Sequence, residues 1–283
     1  RNRFRRMQSQ EKTKQFLERR VKEIVDWKNL FIRDAYKADA VSADEMIAWL
    51  KKFGGEFLDY VCDVGSYLND AAKAGKNIMF EAQLGALRDI DFGINPYTSS
   101  SNTVAAYAPV GAGVPNLKLD KVVGIMKAYS SCVGEGPYTV EAFGEFAHEL
   151  REAGGEYGAA TGRPRRVGGF DVVASRYGCR MQGADEIALT KLDVLSVFDE
   201  IPVCVAYDVN GKLVSEFPFG EDLTVAKPVF EYLKGWKSDI SSVRKFEDLP
   251  KEAQDYVTFI EKAVGCNIKY VSVGAERDAY IEK

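Results

Sequence analysis

The sequence predicts an α/β fold preceded by a helical region, and three observations carry that prediction. Apolar residues recur at helical spacing through the first quarter of the chain. From Asn77 onward, short apolar runs alternate with amphipathic segments and Gly-rich loops. One Asn-Gly pair, Asn210-Gly211, lies between alternating apolar residues as a hairpin turn does. Strands alternating with helices build a sheet with helices packed on its faces.

The helical region comes first, over residues 1–76. Gln15 to Phe31 repeats its apolar positions at helical spacing, with Lys, Arg and Glu between them. Ser42-Ala43-Asp44-Glu45 has the form of a capping box and opens a second helix through Met46, Ile47, Trp49 and Leu50. Gly54-Gly55 interrupts it, and Leu58, Val61, Val64 and Leu68 continue the stripe. These helices are expected to face a core or a neighbouring subunit.

The α/β portion occupies residues 77–283. Ile78-Met79-Phe80, Val122 to Ala128, Glu186 to Thr190 and Ile268 to Val273 read as buried strands. Amphipathic helices are predicted at 141–152, 169–181 and 250–264, the last opened by Pro250 and closed by Gly265. The hairpin spans Val203 to Phe217.

Composition narrows the function classes. At 283 residues with 46% hydrophobic and 28% charged, the chain can bury a full-sized core. A net charge of -4 argues against nucleic-acid or membrane-surface binding, and no apolar run approaches the roughly 20 residues that span a bilayer. The five cysteines are widely spaced, with no C-x-x-C pair, which suits a reducing cytoplasm and suggests neither zinc nor disulfides. The single histidine, His148, falls on an amphipathic helix and reads as a surface or packing residue, so no Ser-His or Cys-His pair is available. The chain opens on Arg1, not Met, which leads us to expect further sequence upstream.

Four polar loops adjoin likely strand ends, where open α/β sheets gather ligands. Gly158 to Arg166 holds Thr161 between small residues and crowds Arg163, Arg165 and Arg166 together. Such a cluster reads as a site for carboxylate or phosphate, or as a solvated basic turn. Thr190-Lys191-Leu192-Asp193 follows a strand directly. A carboxylate there can accept both the N1–H and the exocyclic amine of guanine, a donor pair adenine lacks, while the Lys stem lies along the base with its ammonium in water. Taken alone, the four-residue pattern better describes a surface turn. Phe92 to Thr103 carries four consecutive hydroxyl residues beside an Asn and could surround phosphate oxygens or form a simple loop. Ser272-Val273-Gly274 follows the last strand. No G-x-x-x-x-G-K-[ST] phosphate loop is present.

Taken together the segments are more specific. Phe80 to Gly85, Asp89-Ile90-Asp91-Phe92-Gly93, Thr98 to Thr103, Lys127-Ala128-Tyr129, Val133-Gly134-Glu135-Gly136-Pro137, Gly158 to Arg166, Leu189 to Leu195 and Ser272 to Arg277 occur in one order and spacing. That arrangement resembles adenylosuccinate synthetase, closely from Phe80 to the end and more loosely before it. The resemblance implies a mixed, mostly parallel sheet of a P-loop-NTPase-like fold, with 1–76 as a dimer-associated helical region and 77–283 as the nucleotide- and aspartate-binding portion. It implies a ligase of de novo AMP biosynthesis in a cytoplasmic homodimer. GTP phosphorylates the 6-oxygen of IMP, and the amine of L-aspartate displaces that phosphate, with Mg²⁺ as cofactor.

Residue by residue, the resemblance assigns aspartate binding to Ala159, Ala160, Thr161, Gly162, Arg163, Pro164 and Arg165. IMP contacts fall to Arg3, Gln83, Leu84, Ser99, Val133 and Arg163, with Arg3 reaching across the dimer. Arg165, Lys191, Leu192, Asp193, Ser272, Val273 and Gly274 would hold GTP. Departures from the commoner pattern fall at Ala82-Gln83-Leu84, Ser99, Cys132, Ala160 and Ala275, and they bear on the IMP contacts more than on the reaction. The family's G-D-E-G-K-G-K loop with its catalytic Asp and Lys, and its assisting His, do not occur in these residues. Catalytic groups and Mg²⁺ ligands are therefore expected upstream, and the isolated chain is expected to be inactive. Two alternatives stay open at this point: action on another purine nucleotide such as dGMP, and a non-catalytic guanine-nucleotide-binding module.

Overall fold

A computed structural model describes residues 10–54, 57 and 60–283. By internal contacts the chain divides into two units, residues 1–79 with 112–115, and residues 80–111 with 116–283.

The first unit is helical. Helix α1 (Gln10–Asp34) packs on α2 (Ala43–Gly54), and α3 (Val64–Lys73) follows. Ser42 Oγ accepts from the Glu45 amide at 3.2 Å, so the capping signal acts as expected, and α2 stops at Gly54. Asp63 caps α3 in the same way. Val25, Asn29 and Ile47 are buried, whereas Trp27, Leu30, Phe31, Trp49 and Phe53 are exposed. The expected contribution of Leu58 to the stripe lies outside the described residues.

The second unit is α/β. A short helix, α4 (Tyr107–Ala112), bounds it, and then β1 (Val123–Lys127), β2 (Ser130–Cys132), α5 (Gly144–Gly154), β3 (Arg166–Gly168) and β4 (Phe170–Asp171) follow. Next come α6 (Val172–Gln182), β5 (Glu186–Thr190), β6 (Glu200–Val209) and β7 (Lys212–Val214). The chain closes with α7 (Glu221–Val225), β8 (Lys227–Lys234), α8 (Lys251–Val264), β9 (Asn267–Ser272) and β10 (Tyr280–Glu282). Strands β1, β5 and β9 run parallel, and β10 adds an antiparallel edge to β9. The sheet is mixed and mostly parallel. Its core is built from Ile187, Leu189, Ile268 and Val271 against Leu150 of α5 and Tyr256, Val257 and Ile260 of α8, all buried. Helix α8 starts after Pro250 and ends at Gly265, whose φ of 75° closes the helix in the left-handed region.

Two expectations need correction. Ile78-Met79-Phe80 is not a strand: Met79 is 88% exposed and no described strand pairs with the segment. An apolar run without a hydrogen-bonding neighbour stays irregular, because a lone strand leaves its backbone unpaired. The hairpin is larger than predicted. Asn210 (φ 54°) and Gly211 (φ 85°) turn β6 into β7 as read, but β6 also pairs along its length with β8 and at its middle with β4, forming a second sheet. No described helix is long and apolar enough to cross a membrane.

Candidate functional site: a carboxylate-centred cluster at the parallel strand ends

The three parallel strands finish side by side. β1 ends on Lys127, β5 runs out into Thr190–Asp193, and β9 into Ser272–Gly274. The Ala128 amide donates to Thr190 O at 2.8 Å, and the Leu192 amide donates to Ser272 O at 3.2 Å. These bonds bring Lys191–Asp193 and Ser272–Gly274, far apart in sequence, against each other. Leu192 and Val273 are fully buried and pin the two loops to the core. The Ser272 hydroxyl donates to Gly274 O at 3.0 Å, closing the second loop on itself.

Lys191 sits at φ 61°, a left-handed conformation that costs a residue with a Cβ about 1 kcal/mol. The turn aims its ammonium inward. Nζ donates to Gly154 O at 2.5 Å and lies 3.7 Å from Glu156. The lysine does not stand free: the end of α5 presents a carbonyl and a carboxylate to its ammonium, with the side chain 38% exposed. Asp193 is half-buried, and its Oδ1 is buried without a hydrogen-bond partner. Burial pushes its pKa up, only partly countered by backbone amides and by Lys191.

Glu156 is the centre of the cluster, and the sequence reading missed it. Helix α5 closes on Gly155 at φ 59°, and the Glu156 amide bonds back to Arg151 O, so the turn directs the next side chain inward. Its carboxylate is 1% exposed. Oε1 accepts from Lys127 Nζ at 2.7 Å and from the Tyr129 hydroxyl at 2.6 Å, and Oε2 accepts from Arg165 Nη1 at 3.2 Å. Burial alone would raise its pKa, but the bonds from Lys127 and Tyr129 and the nearby ammonium groups outweigh burial and hold it below the ordinary value. Gly154 is required beside it, because a Cβ there would lie 2.4 Å from the Tyr129 hydroxyl.

Between Glu156 and Arg165 the chain makes a pinched loop. Tyr157 bridges Pro164, and the Arg165 amide donates to Glu156 O at 2.9 Å, which sets these two side chains next to each other. Inside the pinch the Gly158 amide donates to Arg163 O, and Gly162 (φ 63°) donates back to Gly158 O. Ala159, Ala160, Thr161, Gly162, Arg163 and Pro164 are exposed at the tip. The three arginines separate. Arg163 has no side-chain partner among the described residues, and Arg165 keeps a buried Nε with no acceptor. Arg166 is not part of a free cluster: it forks onto Glu141 at 2.9 and 2.5 Å and donates to Gly136 O at 2.8 Å.

A separate open cleft of about 430 Å³ is lined by Leu84, Arg88, Tyr97, Thr98, Ser99, Val133 and Glu135. It brings together three residues expected to touch IMP, namely Leu84 (φ 77°), Ser99 and Val133. Gln83 is exposed, and neither it nor Arg163 lines the cleft. Arg88, which the sequence reading did not single out, staples the walls. It donates to Tyr97 O, to Glu135 O at 3.2 Å and to Val133 O at 3.1 Å, and it meets Cys132 Sγ at 3.0 Å. Only part of the hydroxyl loop faces this cleft, since Thr103 Oγ1 donates to Gly85 O and Asn102 to Asp91. Arg3 lies outside the described residues. Among the described residues no group of three or more His, Cys, Asp or Glu side chains is arranged to hold a metal ion.

The chain is similar to several known proteins. An adenylosuccinate synthetase from Salinibacter ruber is 44% identical over 94% of this chain and 61% of the relative. One from Streptococcus gordonii is 43% identical over 89% of this chain and 59% of the relative. The chain thus spans about three-fifths of the length of the curated relatives it matches. A solved, fully ligated adenylosuccinate synthetase from Plasmodium falciparum superposes with a TM-score of 0.89 at 33% identity, covering 95% of this chain and 64% of that one. The family model described as adenylosuccinate synthetase matches residues 1–281, and the chain belongs to that family.

Proposed function

We propose that this chain supplies the guanine-nucleotide, aspartate and part of the IMP recognition of a ligase that forms adenylosuccinate from IMP, L-aspartate and GTP. The observation that carries the reading is Asp193: a buried Oδ1 without a partner, at the end of a parallel strand, beside Ser272–Gly274. Buried polar atoms are nearly always paired, so an orphan acceptor at a ligand-binding edge is best explained by a donor that arrives with the ligand. Guanine offers that donor as N1–H with its exocyclic amine, and Lys191, Leu192, Ser272, Val273 and Gly274 border the place the base would take.

The loop Ala159–Arg165 would receive aspartate, with the free guanidinium of Arg163 meeting a carboxylate. The unpartnered Nε of Arg165 gives that residue a donor for a phosphate oxygen of GTP. The cleft lined by Leu84, Ser99 and Val133 is the place for IMP. In the reaction, GTP phosphorylates O6 of IMP, which turns a poor leaving oxygen into a good one, and the aspartate amine then displaces phosphate. These side chains contribute orientation and charge neutralisation. Among the described residues no group of three or more His, Cys, Asp or Glu side chains fits the Mg²⁺ that the family resemblance implies. The G-D-E-G-K-G-K loop with its catalytic Asp and Lys does not occur in these residues, and we expect the isolated 283-residue chain to bind guanine nucleotide without forming adenylosuccinate.

The exposed aromatic residues of the first unit, Trp27, Phe31, Trp49 and Phe53, support a homodimer that covers them, with residues 1–76 as its helical part. A cytoplasmic location fits the unpaired cysteines. The guanine assignment is tested by Asp193→Asn in the native-length protein. Preference for GTP over ATP should fall roughly 10- to 100-fold, the value of one lost charged hydrogen-bond pair, with IMP binding unchanged. An unchanged preference rejects the guanine role.

A further inference from the structure

We propose that Glu156 is a positioning residue for two substrates at once, because one buried carboxylate fixes a cation of the base loop and a cation of the aspartate loop in a single cluster. The inference rests on the assignment of those two loops given above. Its evidence is the division of labour between the two oxygens. Oε1 faces Lys127, Tyr129 and, at 3.7 Å, Lys191 of the base loop, whereas Oε2 holds Arg165 of the aspartate loop at 3.2 Å.

The charge count shows why such a centre is needed. Three cations, Lys127, Arg165 and Lys191, surround one carboxylate, which leaves an excess of two positive charges. That excess suits a site built for anions, but without Glu156 three like charges would repel and swing their long side chains into water. The contacts also leave donors free. Glu156 occupies Nη1 of Arg165, so the guanidinium is fixed in place while its buried Nε remains unpaired. Lys191 is held by Gly154 O together with Glu156, which fixes the turn that leads into Asp193. Loss of the carboxylate charge therefore releases both loops. The IMP cleft shares no lining residue with the cluster, so its occupancy should be indifferent to the change.

The test is steady-state kinetics of the native-length protein carrying Glu156→Gln, which preserves shape and removes charge. We expect the KM values for aspartate and for GTP to rise about tenfold each, with the KM for IMP within twofold of the parent. A rise in only one of the two, an equal rise in all three, or a lower melting temperature with unchanged KM values would overturn the proposal. Should Glu156→Gln fail to fold, a double-mutant cycle on Lys191→Met and Arg165→Gln leaves the buried carboxylate in place. Their effects on the KM for GTP should depart from additivity by at least threefold, and additive effects would overturn the link. Asp193→Asn, run in parallel, separates the two readings. If it keeps GTP over ATP, the base assignment has failed whatever Glu156→Gln does. If it loses that preference while Glu156→Gln leaves both KM values unchanged, the assignment stands and the positioning role falls.

Discussion

Glu156 and Asp193 are both carboxylates at the strand-end edge of the second unit, and they are treated in opposite ways. Burial raises the pKa of each as its largest single influence. Around Glu156 a tyrosine and three cations reverse that effect, and the group stays ionised in the folded protein. Around Asp193 nothing reverses it, and one oxygen stays unpaired. A buried carboxylate with every partner in place holds the fold together. One without them, on the function proposed above, is set up for a partner that is not part of the chain.

The sharpest way to break the comparison is to remove each carboxylate and measure stability. Glu156→Leu leaves Lys127, Arg165 and Lys191 without a counter-ion, and we expect a loss on the order of 2 kcal/mol in denaturant unfolding. That figure is set below the cost for fully buried pairs because the cations are 26–38% exposed. Asp193→Leu should be neutral or slightly stabilising, by up to about 1 kcal/mol, since it deletes an unsatisfied acceptor. A loss at Asp193 equal to that at Glu156 would remove the distinction.

The pH dependence should differ in sign. For Glu156 the folded pKa lies below the unfolded one, so its contribution is present above the unfolded carboxylate range and is lost as pH falls through the folded value. For Asp193 the folded pKa is raised, so its contribution is present below the unfolded value and lost as pH rises through the folded one. Melting temperature followed from pH 7 downward, wild type against each variant, should show Glu156→Gln narrowing its deficit and Asp193→Asn losing its advantage. Parallel curves would contradict both assignments. Asp171, buried at the start of α6 where it accepts from the Ala174 amide and the Tyr207 hydroxyl, also has its pKa pushed up by burial, to about 6, and offers a control for the sign of the shift away from the site. Asp171→Asn should lose any relative advantage between about pH 6 and 4.

A smaller loss than at Glu156→Leu is expected at Tyr129→Phe. It removes one neutral donor from Glu156 and leaves the cations, so unfolding should lose about 1 kcal/mol. A loss as large as that of Glu156→Leu would mean that the hydroxyl, not the charges, holds the cluster.

Much of this site was legible as loops and little of it as contacts. Thr190–Asp193 and Ser272–Gly274 could be read because each follows an apolar run of strand length, and the Asn210-Gly211 turn and the ends of α8 announce themselves through residues with special backbone preferences. Glu156 could not be read. It is one acidic residue among many, and its partners stand 29, 27, 9 and 35 positions away at Lys127, Tyr129, Arg165 and Lys191. The density of arginines at 163–166 misled in a similar way, since one of the three is spent on Glu141.

Local rules therefore determined what the sequence could declare alone: which segments are strands and helices, where they stop, and which loops carry polar groups at strand ends. They act over a few residues, through backbone preference and apolar periodicity. Only the tertiary structure decided which side chains those loops share. It refused a strand at Ile78–Phe80 for want of a neighbour, set the Lys191 ammonium on Gly154 O, and joined β1, α5, β5 and the loop that ends at Arg165 on one carboxylate. The physical reason is that charge pairing and burial depend on distance in space, which spacing along the chain does not encode until the sheet has assembled.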